Sequence, residues 1–145
     1  MSTVDREDKL ADAKRQGAAQ FESIAEMVAE LERFCGDTAG GMESSIEDAE
    51  RAIQEDALSV QVRSGWYNPG DSEGAKPAEY EILLCTGGPA VRIIGELNEY
   101  MEPDSARIEV QDWFQPWTEL RHYTENKDAL QILLTYARQF YFGEA

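Results

Sequence analysis

The chain is 145 residues long, with 29 Asp and Glu against 13 Lys and Arg and a formal net charge of −16. Such a surplus argues against direct binding to nucleic-acid phosphates or anionic membranes, because both need Lys and Arg; it favours a basic partner, on which it acts at long range. The length suits one domain, and an apolar share of 42%, with 10% aromatic, is enough to bury a core rather than leave the chain disordered.

Residues 5–34 read as one long helix. Leu10, Ala13, Gly17, Gln20, Phe21, Ile24, Met27, Val28, Leu31 and Phe34 recur every three or four positions and form one stripe. Gly17 and Gln20 weaken its first half, so fraying is expected before Gln20. Gly36 and Gly40-Gly41 end it, and Ser44-Ser45-Ile46-Glu47 opens a second helix that runs to Glu55. Together these make a helical hairpin over residues 1–57. The period changes to two at Leu58, where Leu58, Val60 and Val62 alternate with Ser59, Gln61 and Arg63, the pattern of a half-buried strand. A turn-rich loop runs from Gly65 to Pro77. Two further strands, at 79–86 and 90–97, are joined by Gly87-Gly88 as a hairpin. A fourth is expected at 106–113 and a last helix at 127–139, with Leu130, Leu133, Leu134 and Ala137 on its apolar face. The expected fold is α+β: an N-terminal helical hairpin, a four-stranded antiparallel sheet, and a C-terminal helix packed on the sheet, with residues 58–145 forming one compact unit with the arm.

No apolar run approaches the roughly 18–20 residues needed to span a bilayer. The polar start, Met1-Ser2-Thr3-Val4-Asp5, does not suit a signal peptide, so a cytoplasmic location is expected. Cys35 and Cys85 are then expected as reduced thiols, Cys85 as a small core hydrophobe. Two Cys and one His without CxxC or HxxxH spacing do not make a structural zinc site, and no segment has the spacing of a calcium loop. No metal or other cofactor is expected.

No segment carries a recognisable catalytic arrangement. His122, between Arg121 and Tyr123, has no local nucleophile or orienting group and reads as an ordinary surface or interface side chain. Gly87-Gly88-Pro89 lacks the Lys and Ser/Thr of a phosphate loop and reads as a turn. With 29 acids present, any one carboxylate pair is uninformative. No catalytic residue is therefore named, and the chain is not expected to be an enzyme. The acids carry the sharper signal. Glu22, Glu26 and Glu30 stand four residues apart, which on a helix spaces their carboxylates by about 6 Å, as successive phosphates are along a DNA strand. Like charges at that spacing destabilise a helix slightly. Glu43, Glu47, Asp48 and Glu50 could add a second row. The simpler reading of both rows is a solvated helix face. Trp66, Tyr67, Trp113, Phe114, Trp117 and Tyr123 are read first as rings closing the end of the sheet, and second as a protein-binding patch.

Several stretches also resemble small acidic proteins of unknown function encoded by proteobacterial phages and prophages. They are Val4-Asp5-Arg6-Glu7-Asp8-Lys9 with Gln20-Phe21-Glu22-Ser23-Ile24-Ala25-Glu26-Met27-Val28; Val62-Arg63-Ser64-Gly65-Trp66-Tyr67; and Ile82-Leu83-Leu84-Cys85-Thr86-Gly87-Gly88-Pro89-Ala90-Val91. Gln111-Asp112-Trp113 with Pro116-Trp117-Thr118, and Leu134-Thr135-Tyr136-Ala137-Arg138 with Phe140-Tyr141-Phe142-Gly143-Glu144, complete the set. The resemblance implies an accessory protein of a mobile element, a setting in which counter-defence is common, and it brings no catalytic residues. The leading expectation is a non-enzymatic anti-CRISPR or anti-restriction inhibitor. It would block the nucleic-acid-binding surface of a host defence protein or ribonucleoprotein, with Glu22, Glu26, Glu30, Glu43, Glu47, Asp48 and Glu50 standing in for phosphates. The alternative is a structural or regulatory adaptor that forms a homodimer through the apolar stripe of its N-terminal helix.

Overall fold

A computed structural model describes residues 3–35, 43–71, 75–86, 88–112, 115–120 and 128–142, with the backbone alone for 3–10, 35, 43 and 44. In chain order the elements are helices α1 (Thr3–Cys35) and α2 (Glu43–Asp56), strands β1 (Ser59–Arg63), β2 (Glu79–Cys85), β3 (Ala90–Glu96), β4 (Arg107–Gln111) and β5 (Thr118–Glu119), and helix α3 (Ala129–Ala137). The strands form one antiparallel sheet in the order β1-β2-β3-β4-β5. The α+β class is as the sequence implies, but the sheet has five strands, not four. β5 is two residues long, too short to show any alternation, and it is held by pairing with Glu109 and Val110.

α1 continues through Gly17 without a break. The glycine has a packing role instead. A Cβ on Gly17 would come within 2.7 Å of both Leu120 Cδ2 and Val110 Cγ1, so the missing side chain lets the helix lie close against β4. From this contact the apolar stripe runs on through the core. Ala13, Phe21, Ile24, Val28 and Leu31 are buried, and they share one cluster with Ile53 of α2, Tyr80, Ile82, Val91, Ile93, Ile108 and Val110 of the sheet, and Leu133 and Tyr136 of α3. Each such aliphatic or aromatic side chain contributes about 1.5–3 kcal/mol on burial.

The alternation in β2 turns Tyr80 and Ile82 toward the helices and Glu79 and Glu81 away from them. A bulge between Leu83 and Cys85 then shifts the register, so that Cys85 pairs with Val91. On β3, Gly95 makes room for the Tyr80 ring. A Cβ there would come within 2.0 Å of the Ser105 carbonyl oxygen and 2.9 Å of Tyr80 Cε1, and the Tyr80 hydroxyl donates to that same carbonyl at 2.7 Å. At the other end of the core, the buried Tyr136 hydroxyl donates to Asp56 Oδ2 at 2.7 Å and ties α3 to the end of α2. Burial first, and then the Asp56 contact, hold that phenol neutral far above its ordinary range.

Candidate partner-binding surface

The helices cover one face of the sheet and present a second, acidic face to solvent. The residues opposite the buried stripe of α1 include Glu22, Glu26 and Glu30, all exposed and one turn apart. Glu22 and Glu26 have no ion-pair partner among the described residues, and Glu30 stands 4.0 Å from Arg33 Nη2. On α2, Glu47 and Asp48 are exposed and Glu50 is half-buried. Arg51 Nη1 pairs with Asp48 at 3.3 Å; the side chain of Glu43 lies outside the described residues. The two Arg contacts are i, i+3 pairs between exposed groups, and such pairs hold their partners weakly. Carboxylates outnumber bases on both helices.

The uncovered face of the sheet is built differently. Arg92, at its centre, donates from Nη1 to Glu81 Oε2 at 2.6 Å, and from Nε and Nη2 to Glu109 Oε1 at 2.9 and 2.5 Å. Its guanidinium lies 4.1 Å from the centre of the Trp117 ring, a cation–π contact. Arg107 Nε reaches the second oxygen of Glu109 at 3.3 Å, and Arg63 pairs with Glu79. The hydrogen bond from Arg63 holds the Glu79 carboxyl below its ordinary range. Arg63, Arg92 and Arg107 thus bind Glu79, Glu81 and Glu109 in a ladder over strands β1 to β4. The surface is of mixed charge, and on it Glu96 stands opposite Glu79.

Among the described residues the site chemistry is spare. No group of three His, Cys, Asp or Glu is placed to hold a metal ion, and no buried side-chain nitrogen or oxygen lacks a hydrogen-bond partner. Cys85 is a free thiol, and burial pushes it up from its ordinary value. Among the described residues no helix is long and apolar enough to cross a membrane. His122, Trp113, Phe114 and Tyr123 fall outside the described residues.

Three expectations are corrected here. The stripe from Ala13 to Leu31 is occupied by the chain's own sheet and helices, so it offers no surface for a homodimer unless the core opens. Strand β1 is not half-buried: Leu58, Val60 and Val62 are 61%, 37% and 43% exposed. Val60 and Val62 pair with Ile82 and Tyr80 and so share their face, but the helical layer stops short of β1. The aromatic residues also divide. Trp117 packs on Arg92 as a structural ring, whereas Trp66 is fully exposed and Tyr67 half-exposed. Periodicity told which face the valines share but not how far the helices reach.

No protein-family model matches the chain, and no curated protein or solved structure is significantly similar to it.

Proposed function

We propose that this chain is a non-enzymatic inhibitor of the phage type, anti-CRISPR or anti-restriction in role. In this reading it binds a basic, nucleic-acid-handling host defence complex and occupies the surface meant for nucleic acid. The observation that carries the reading is the exposed row Glu22, Glu26 and Glu30 on the outer side of α1, in a chain of net charge −16. Carboxylates at about 6 Å intervals on a rigid helix present a basic groove with a periodic line of negative charge. The rigidity comes from the opposite side, where Phe21, Ile24, Val28 and Leu31 anchor α1 in the core. Glu47 and Asp48, exposed on α2 with Glu50 half-buried beside them in a helix that opens at Glu43, extend the acidic surface. The partner supplies the positive charge, and no metal or other cofactor takes part.

The test is phage plating on bacterial hosts with a CRISPR–Cas or restriction system, in cells expressing the chain or its triple variant Glu22→Lys/Glu26→Lys/Glu30→Lys. Restored plating with the native chain and its loss with the triple variant are expected. Full activity of the triple variant would sink the phosphate-mimic reading. The adaptor reading loses its original support, because the stripe it relied on is core.

A further inference from the structure

We infer that β1 is a self-association edge, and that two copies of this chain pair antiparallel through it to make one continuous ten-stranded sheet. The two edges of the sheet differ. β5 is two residues long and follows Pro116, which blunts it as a template for another strand. β1 is five residues, Ser59-Val60-Gln61-Val62-Arg63, with no proline, lysine or acid and no bulge in its pairing with β2. Edge strands usually carry such guards; here the one charge is Arg63, at the end of the strand and paired with Glu79.

Charge points the same way. One residue in five of this chain is acidic, yet residues 57–70 contain no Asp or Glu and include Arg63. The carboxylates nearest to β1 are already engaged, Glu79 by Arg63 and Glu81 by Arg92. A second copy of so acidic a protein meets the least repulsion here.

The strand is also self-complementary in register. The Arg63 carbonyl faces β2, accepting from the Ala78 N–H at 2.8 Å. By alternation the N–H and C=O groups of Val60 and Val62 then point outward. An antiparallel pair centred on Gln61 sets Val60 of each copy opposite Val62 of the other, and these outward groups make four hydrogen bonds. Arg63 comes to lie opposite Ser59, so no like charges meet across the seam. The four valines join into one apolar patch on the helix side. The two-fold axis is perpendicular to the sheet, so both helical layers and both acid rows share one side.

The full chain should sediment at twice its monomer mass at about 0.5 M salt, where charge repulsion is screened. The variants Val60→Lys and Val62→Pro should each sediment as folded monomers. The lysine lowers the net negative charge, so a general charge effect would strengthen association rather than abolish it. Proline at Val62 removes an outward N–H and leaves the pairing with β2 intact. Cysteine placement gives a second readout, independent of any folding defect. The centre of the seam is a pair without mutual hydrogen bonds, about 4.5 Å between Cα atoms, so Gln61→Cys should form a covalent dimer on mild oxidation. Ser59→Cys, offset from its own copy, should not cross-link above the wild-type level. A monomer at every salt and concentration would overturn the proposal, as would a dimer indifferent to both edge variants, or equal cross-linking from positions 59 and 61.

Discussion

Two glycines show how single residues set this architecture. Gly95 faces a backbone carbonyl, which has nowhere to go, so Gly95→Ala should destabilise the protein by about 1–3 kcal/mol in chemical denaturation, the usual cost of overpacking. Gly17 faces Leu120 Cδ2 and the stiff, fully buried Val110, both 2.7 Å from where a Cβ would stand, so Gly17→Val should cost at least about as much. The Tyr136–Asp56 bond joins a buried hydroxyl to a carboxylate; Tyr136→Phe should cost about 1.5–3 kcal/mol by the same measurement, the range for hydrogen bonds to charged groups. Glu79 gives a pH signature. Its folded-state pKa is depressed by the Arg63 hydrogen bond, so its contribution is present above the ordinary carboxylate value and is lost as pH falls through the folded value. Both side chains are substantially solvent-exposed, so the contribution is small, and the direct check is an NMR titration. Arg63→Gln should move the Glu79 midpoint up; an unchanged midpoint would refute the assigned cause.

At the level of elements, the sequence made some features plain and hid others, for physical reasons. α1 was legible because its stripe repeats over many turns, and β2 and β4 because polar and apolar residues alternate where one face meets the helices. β5 was hidden because a two-residue strand has no period. The role of Gly17 was hidden because a glycine that weakens a helix locally can be required by what packs on it, and only the position of Leu120 and Val110 reveals which. β1 was misread in a more instructive way. Val60 and Val62 do share the core face of the sheet, but burial depends on the neighbouring layer, and nothing in the alternation encodes where that layer ends. Of the acidic residues, Glu22, Glu26 and Glu30 were expected on one face and are found there, whereas Glu50 lies half-buried. The packing of α1 makes a further prediction for this element. Leu31→Asp places a charge in the core, so it should unfold the chain, as seen in loss of helical circular dichroism, rather than only dissociate a dimer.

For the molecule as a whole, the charge is divided unevenly in space. The helices α1 and α2 carry more carboxylates than bases, while the open sheet face carries Arg63, Arg92 and Arg107 bound to Glu79, Glu81 and Glu109. Self-repulsion in the helical layer should therefore limit stability at low ionic strength. The thermal midpoint should rise as salt increases from about 0.01 M to about 0.5 M, because screening shortens from about 30 Å to about 4 Å; a midpoint that falls would mean that the ladder on the sheet outweighs the repulsion. The central claim is that this acidic layer binds a basic nucleic-acid-handling partner. Its most direct test is affinity capture from a bacterial host lysate at about 0.1 M and about 0.5 M salt, using the native chain beside Glu22→Gln/Glu26→Gln/Glu30→Gln, with mass spectrometry of what is retained. The account predicts a nucleic-acid-binding complex held by the native chain at low salt, released at high salt, and lost with the triple variant. A partner held equally at both salts and by both chains, or recovery of the chain alone, would contradict it.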